Sequence, residues 1–266
     1  MKRKLLIACC LILFIISLAL PQNIAANFNK IKKYNLQNIL ATHTTYFNEL
    51  DSNRTQNIKV AAKNIDGTII KAGEIFSFNE VVGARTKKRG FKEAVEIINN
   101  QYVTGVGGGV CQVSSTLYNA VLFAGLKIVE RKNHSRPVNY IPLGRGATVY
   151  YDLIDFKFKN NFSKPMMIIA KVVQDQLTIT LLGTDPGINV EVITSSPEII
   201  DPQIIKKTDK KLKRGRKKIV QDGEVGYKVT TRRIIKSGSK IIENSLIAKD
   251  IYEPIDKVIK VNPQKN

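Results

Sequence analysis

The pattern of hydrophobic and polar positions predicts two helices in the first half of the chain. Apolar residues recur at helical spacing over residues 57–65, and an Asp-Gly pair directly afterwards predicts a turn. Residues 113–124 repeat the helical pattern immediately after Cys111, and Gly125 stands at the expected end of that helix. The sequence therefore places Cys111 at the N-terminus of a helix.

After residue 126 the pattern changes to the alternation that is typical of strands. Residues 156–159, 166–173, 177–182 and 227–235 each predict a strand, and turn residues separate them. Antiparallel strands can be joined by such short turns, whereas parallel strands need longer connections. The predicted fold class is α+β: a β-rich antiparallel body with a few helices, followed by a small all-β C-terminal module.

The first segment has the form of an export signal. Three basic residues at 2–4 precede a largely apolar run at 5–20, and Pro21 ends it. The run is shorter than the roughly 20 apolar residues of a spanning helix, and Ala25 and Ala26 offer a cleavage position. Residues 1–26 are therefore predicted to be a signal peptide or an N-terminal membrane anchor, with the rest of the chain outside the cytoplasm.

The remaining chain is predicted to consist of a body at 27–190, a linker at 191–204, and a basic run with a small β module at 205–266. Within 206–218, nine residues are basic and one is acidic. Such a run is either a solvated segment or a contact surface for an anionic partner. The residues proposed for that contact are Lys210, Lys211, Lys213, Arg214, Arg216, Lys217 and Lys218. The run has no aromatic residue for base stacking, and export argues against a nucleic-acid partner.

Composition narrows the chemistry further. The net charge of +20 calls for an anionic partner, while two His and three Cys argue against a zinc finger or a multi-histidine metal site. Cys9 and Cys10 lie in the leader, so Cys111 is the one cysteine of the exported body and an internal disulfide there is excluded. We expect neither a metal nor a cofactor.

The glycine-rich segment before Cys111 is the most informative motif. Gly107, Gly108 and Gly109 allow a close approach of backbone to a ligand, and a helix starting at Cys111 directs its positive end at the sulfur. This placement favours a thiolate, and free backbone N–H groups there could stabilise an oxyanion. The segment lacks the Gly-Lys-Ser/Thr ending of a phosphate loop, which argues against nucleotide binding.

A cysteine nucleophile usually needs a base, and His134 or His43 would supply it. We favour His134, which follows the strand after the Cys111 helix. Either of two carboxylates could orient it, and three further side chains could contact a substrate. The orienting candidates are Asp152 and Asp155, and the substrate-binding candidates besides the glycines are Ser115, Tyr118 and Arg145. Arg145 would bind a carboxylate, or else lie in a solvated turn.

Four segments carry a resemblance to the VanW family. They are FSFNEVVGART (76–86), GGGVCQVSSTLYNA (107–120), AGLKIVERKNHSRPVNYIPLGR (124–145) and ATVYYDLIDFKFKN (147–160). Residues 205–261 resemble the G-five module, with fitting glycines at 223, 226 and 238 but without the final one. The resemblance implies an exported cell-wall protein of Gram-positive bacteria, with Cys111 as nucleophile and His134 as the family histidine. One departure is Gly146, where the family usually has Asp.

The resemblance implies L,D-transpeptidase chemistry on peptidoglycan stem peptides, with a link to glycopeptide resistance. Water in place of an acceptor amine would make the protein a carboxypeptidase. The alternative is a non-catalytic accessory protein that binds peptidoglycan or anionic wall polymers, and Gly146 favours it. Contact with the membrane is expected only through the N-terminal segment.

Overall fold

The structure is a computed structural model and describes residues 22–98 and 101–263. Most of the predicted leader, residues 1–21, lies outside this part of the chain. The expected cleavage position falls inside the first described helix, whose Asn27 and Lys30 side chains donate hydrogen bonds to Asp66 and to the Gly67 carbonyl. Within the described residues, no helix combines the length and the apolar character that crossing a membrane requires.

Four α-helices and sixteen strands make up the described chain. The helices are α1 (Gln22–Tyr34), α2 (Ser52–Ile65), α3 (Phe78–Val82) and α4 (Val110–Phe123), with a 3-10 turn at Lys87–Arg89. The first nine strands are β1 (Asn38–Tyr46), β2 (Ile69–Ile70), β3 (Ile75–Ser77), β4 (Glu93–Ile98), β5 (Gln101–Val106), β6 (Lys127–Glu130), β7 (Lys157–Lys159), β8 (Met166–Val173) and β9 (Gln176–Gly183). The last seven are β10 (Asn189–Thr194), β11 (Glu198–Ile200), β12 (Ile204–Thr208), β13 (Lys217–Gln221), β14 (Gly226–Ser237), β15 (Lys240–Tyr252) and β16 (Lys257–Val261).

The body is built on an antiparallel sheet of order β1-β9-β8-β2, against which α2 and α4 pack. Helix α4 is almost wholly buried, and Leu117, Val121 and Leu122 contribute its most enclosed side chains. Its start and end follow the glycines that the sequence indicated: Gly109 is the N-cap with φ +104°, and Gly125 follows the C-cap with φ +75°. The predicted helix at 57–65 is confirmed and begins earlier, because the Asp51 side chain caps it.

The C-terminal module consists of two small sheets. Strands β10, β14, β11 and β15 form one antiparallel sheet, and β12-β16-β13 form another in which β12 and β16 run parallel. Residues 191–204, expected to be a linker, contain most of β10, all of β11 and the first residue of β12; β10 and β11 pair with β14. The apolar residues of this segment alternate as in a strand, and the prediction of a linker overlooked that pattern. The α+β class with a β-rich antiparallel body and an all-β module is confirmed.

The module packs against the body through β14 and β15. A Cβ on Gly125 would lie only 3.3 Å from the Ile235 side chain of β14, which shows how closely the end of α4 meets the module. The body's Arg131 pairs with Asp250 of β15 at 2.5 Å, and both side chains are almost fully buried. The Tyr252 hydroxyl accepts a hydrogen bond from the backbone N–H of Gly144. These contacts hold the segment that carries His134 against β15.

Candidate functional site

Cys111 lies in a cleft of about 900 Å³ that it shares with His134. It is the second residue of α4, which confirms the predicted helix N-terminus although the helix begins at Val110, before the cysteine; the residue is half-buried. Its thiol donates a hydrogen bond to the Val149 carbonyl at 3.4 Å. The cleft also contains Arg54 and Tyr140, two residues that were not among the predicted site residues.

The thiol of Cys111 is neutral in the resting protein. Burial raises its pKa above the ordinary value, and the positive charges of Arg85 and Arg54 oppose this shift. Two of the first backbone N–H groups of α4 are already paired, those of Val110 and Gln112, each with a glycine carbonyl at 3.0 Å. The expectation of a thiolate stabilised by the helix end is thus corrected, because desolvation shifts the pKa of this thiol upward.

The glycine turn makes room for two arginines. A Cβ on Gly107 would lie 3.0 Å from the Arg85 side chain, and one on Gly109 would lie 2.9 Å from that of Arg54. Gly107 and Gly109 also have positive φ, of +116° and +104°, which disfavours other residues. A Cβ on Gly108 would lie 2.4 Å from a backbone oxygen of β4. These packing contacts explain why all three positions require glycine. That the glycines contact a substrate stays a prediction.

His134 is buried at the cleft wall. Burial and the charge of Arg131 lower its pKa from the ordinary value to about 4, so the imidazole is neutral at pH 7. Its Nε2 lies 3.1 Å from the Tyr140 hydroxyl, while Nδ1 has no hydrogen-bond partner among the described residues. A Cβ on Gly146 would lie 2.4 Å from that Nδ1, so the ring occupies the space of a side chain at position 146.

The other histidine does not share this cleft. His43 lies on β1 against Phe123, at the far end of α4, and its pKa is lowered to about 4 by burial and by Arg145. Of the two histidines that the sequence offered as a base, the structure brings only His134 to the cleft that contains Cys111.

Tyr140 is the group that contacts His134. Burial raises the pKa of Tyr140 far above its usual value, so its hydroxyl keeps its proton. The hydroxyl lies 3.1 Å from Nε2 of His134. The sequence contained a weak signal for this residue, since it lies six positions after His134 in the same polar segment.

The two carboxylates proposed to orient His134 lie elsewhere. Asp152 is exposed in a turn with φ +63° and lines a separate pocket of about 500 Å³. Asp155 is buried and accepts hydrogen bonds from the Ser77 hydroxyl and the Asn79 backbone, at the N-terminus of α3. Neither forms a hydrogen bond with His134 within residues 22–98 and 101–263. Asp155 is therefore a capping residue, which corrects the expectation.

Two predicted substrate contacts are also corrected. Ser115 and Tyr118 are fully buried, because the segment that contains Ala147 covers this face of α4. Ser115 donates to the Cys111 carbonyl at 2.7 Å, and Tyr118 packs beneath Arg131. Of Cys111, Ser115 and Tyr118, only Cys111 lines the cleft, because it lies in the first turn of α4.

Arg145 lies away from the cleft. Its Nε donates to Asn119 at 2.7 Å, and its guanidinium stacks on Phe123 near the end of α4. The alternative prediction, that Arg145 lies in a solvated turn, does not fit either, since the Arg145 side chain is partly buried. The arginine that does line the cleft is Arg54.

The basic run forms an exposed surface on the β12-β16-β13 sheet and its connecting turn. All seven residues predicted to contact an anionic partner are exposed; they are Lys210, Lys211, Lys213, Arg214, Arg216, Lys217 and Lys218. The register places Lys207 and Lys218 directly opposite Lys260, one on each side. Three like charges side by side are unfavourable unless an anion lies near them. The sequence run alone could not reveal Lys260, which is distant in the chain.

The described residues contain no cluster of three or more His, Cys, Asp or Glu side chains arranged to hold a metal ion.

Comparisons with known proteins identify two domains. Residues 53–182 match the family model "VanW like protein", and residues 191–264 match the "G5 domain" model. The chain is 47% identical over 146 residues to the uncharacterized protein YoaR of Bacillus subtilis, covering 55% of the chain and 48% of that protein. It is 34% identical over 128 residues to the vancomycin B-type resistance protein VanW of Enterococcus faecalis, covering 46% of each.

The chain thus spans about half the length of these curated relatives. Two solved G5 domains also match. The crystal structure of HP0197-G5 is 16% identical, with a TM-score of 0.21, covering 28% of this chain and 97% of that one. The IgA1 protease G5 domain is 20% identical, with a TM-score of 0.26, covering 31% of this chain and 96% of that one.

Proposed function

We propose that this chain is an extracytoplasmic protein of a Gram-positive cell wall. Its segment that matches the VanW-like model would transfer acyl groups between peptidoglycan stem peptides, and the G5 segment follows it. The observation that carries the proposal is the shared cleft of Cys111, His134 and Tyr140, which combines a nucleophile with a neutral imidazole. The name of the Enterococcus relative supports a link to glycopeptide resistance.

The reaction begins with attack by sulfur on a peptide carbonyl. The Cys111 proton passes toward His134, and sulfur bonds to the carbonyl carbon of the donor stem. The carbon–nitrogen bond then breaks, the imidazolium protonates the departing amine, and a thioester remains on Cys111. An amine of a second stem attacks this thioester, the carbon–sulfur bond breaks, and the thiol regains its proton. Water in place of the amine gives a free carboxylic acid.

Tyr140 and His134 together provide the proton path in this proposal. The tyrosine hydroxyl contacts Nε2 of His134, and both groups are neutral at pH 7. Because the Cys111 thiol is also neutral at rest, its deprotonation has to be coupled to substrate binding. Reactivity then appears only in the complex, which would protect the exposed protein from unwanted oxidation.

Electrostatic attraction would hold the protein on anionic wall polymers. The lysine row of β12, β16 and β13 supports this part of the proposal, since Lys207, Lys260 and Lys218 lie side by side and repel one another. Asp209 contacts Lys260 at 3.3 Å and offsets only part of that charge. Binding to purified wall polymer should weaken with rising salt. A Lys207→Gln/Lys218→Gln variant should bind more weakly at low salt and lose less affinity as salt rises, because fewer charge contacts remain to be screened. Salt-independent binding would contradict electrostatic anchoring.

A muropeptide assay tests the catalytic part. Purified protein is incubated with donor and acceptor stems, and mass spectrometry follows both the thioester adduct and the cross-linked product. Cys111→Ala should lose both, and His134→Gln should retain binding but lose most turnover. Lys59→Gln, an exposed change on α2, is the matched control. Cross-linking that persists at the wild-type rate in Cys111→Ala would refute the proposal.

The second candidate is a non-catalytic wall-binding protein. The neutral thiol, hydrogen-bonded to the Val149 carbonyl, favours it, as does the unpartnered Nδ1 of His134. In that case wall cosedimentation would be the same for the wild type and Cys111→Ala, and no thioester would form with any donor.

A further inference from the structure

Arg54 presents a positive charge to the cleft, where the charge of Asp51 offsets it only from a distance. It lies in the first turn of α2, lines the cleft with Cys111, and stacks on the Tyr140 ring at 5.8 Å. Its Nη2 donates to the Gln112 side chain at 2.6 Å. It forms no ion pair with a carboxylate in the part of the chain that the structure describes, and burial lowers its pKa. A half-buried, unpaired cation in a cleft is costly unless a ligand supplies the anion.

The surroundings hold this guanidinium in place. Gln112 is fully buried, and its amide nitrogen donates to the Thr45 hydroxyl and to the Tyr46 carbonyl, both at 2.9 Å. The amide oxygen is therefore fixed in the direction of Arg54. Gly109 completes the arrangement, since a Cβ there would lie 2.9 Å from the Arg54 side chain. Arg54 is thus positioned by contacts that use one of its five N–H donors and leave the others for a ligand.

The other charged groups nearby do not replace a ligand. Asp51 accepts a hydrogen bond from the Arg54 backbone and caps α2. Glu96 lines the same cleft, and burial raises its pKa, which weakens its value as a counter-charge. Arg85 adds positive charge near Cys111, but its guanidinium already donates to Asn79 and to the Gly83 carbonyl. Among the described residues, two cations line this cleft: Lys132, which is exposed, and Arg54, which is partly buried and held in place.

We propose that Arg54 binds the terminal carboxylate of the donor peptide, so that the cleft accepts only a carbonyl one residue before a free C-terminus. This inference rests on the proposed acyl transfer and specifies its substrate class. Arginine suits the role because its planar group pairs with a carboxylate through two parallel hydrogen bonds. The residue expelled from the donor is then a single amino acid, and internal peptide bonds are rejected.

Binding to the inert Cys111→Ala protein tests the inference without requiring turnover. The probes are a stem tetrapeptide as the free acid and the same peptide as its C-terminal amide, measured by calorimetry. The acid should bind about 10- to 100-fold more tightly, the range expected for one charge-assisted hydrogen-bonded contact. In Cys111→Ala/Arg54→Gln this preference should disappear, Arg54→Lys should restore part of it, and Lys59→Gln should leave it unchanged. Equal binding of acid and amide to the Arg54-containing protein would overturn the inference, whether or not Arg54→Gln folds.

Turnover of the two donors by the otherwise unaltered protein separates this inference from the proposed function. Thioester formation with the acid but not with the amide supports both. Thioester formation at equal rates with both donors supports acyl transfer and refutes the role of Arg54. Selective binding of the acid with no thioester from either donor supports the Arg54 site and refutes acyl transfer.

Discussion

Replacing Asp250 by alanine is expected to destabilise the whole protein, because it leaves Arg131 buried without its counter-charge. The two side chains are 5% and 6% exposed, and their charged atoms lie 2.5 Å apart. Removing one partner of such a buried pair costs about 3–5 kcal/mol. For a chain of this size, that cost corresponds to a fall in melting temperature of roughly 6–20 °C.

Thermal and urea unfolding followed by circular dichroism would measure this effect. The matched control is Glu198→Ala, which breaks a pair with Lys228 at 3.1 Å whose side chains are 72% and 46% exposed. Such an exposed pair contributes about 0–1 kcal/mol. Asp250→Asn should fall between the two, since it keeps an acceptor oxygen but not the charge. If Asp250→Ala and Glu198→Ala unfold at the same urea concentration, the reasoning about the buried pair is wrong.

Three further predictions concern the cleft. Gly146→Ala should displace the His134 ring, because the new Cβ would lie 2.4 Å from Nδ1; a crystal structure or the histidine NMR shifts would show it, and unchanged shifts would contradict it. Burial lowers the pKa of His134 to about 4, so the neutral imidazole favours the folded state fully above pH 6.5. As pH falls from 6.5 toward 4, the free energy of unfolding should drop by about 3 kcal/mol. Urea unfolding across this range should show a smaller drop for His134→Gln. Alkylation of Cys111 in the free protein should have its midpoint above the ordinary thiol value of about 8.5, and a midpoint below 8 would refute the neutral resting thiol.

The fold was largely predictable because its elements are strongly periodic. The helix after Cys111, bounded by Gly109 and Gly125, and the strand at Met166–Val173 follow directly from local patterns. The strands within 191–204 did not, because the residues of β14 that pair with them lie 26 or more positions later in the chain; Ile200, for example, pairs with Gly226. Pairing over such a distance depends on register and packing, which a local pattern does not contain.

The site was predictable only in part, for a similar reason. Cysteine and histidine are residue types that often act as nucleophile and base, and Cys111 and His134 both lie in the cleft. Arg54 and Tyr140 carry no such signal, since arginine and tyrosine are common on any surface. The desolvation of the Cys111 thiol could not be predicted from the sequence either. The helix N-terminus suggested a thiolate, but the burial that raises the pKa of Cys111 arises from the fold as a whole.

Docking of the C-terminal module and the geometry of the cleft are mechanically linked through Arg131. Its Nη1 pairs with Asp250 of the module, and its Nε donates to the Gly146 carbonyl at 2.6 Å. Gly146 in turn lies against Nδ1 of His134, where any side chain would collide with the ring. A shift of β15 therefore passes to His134 through one side chain and one backbone segment. Asp250→Ala should then change the His134 environment as well as stability, an effect that the exposed Glu198→Ala change would not produce.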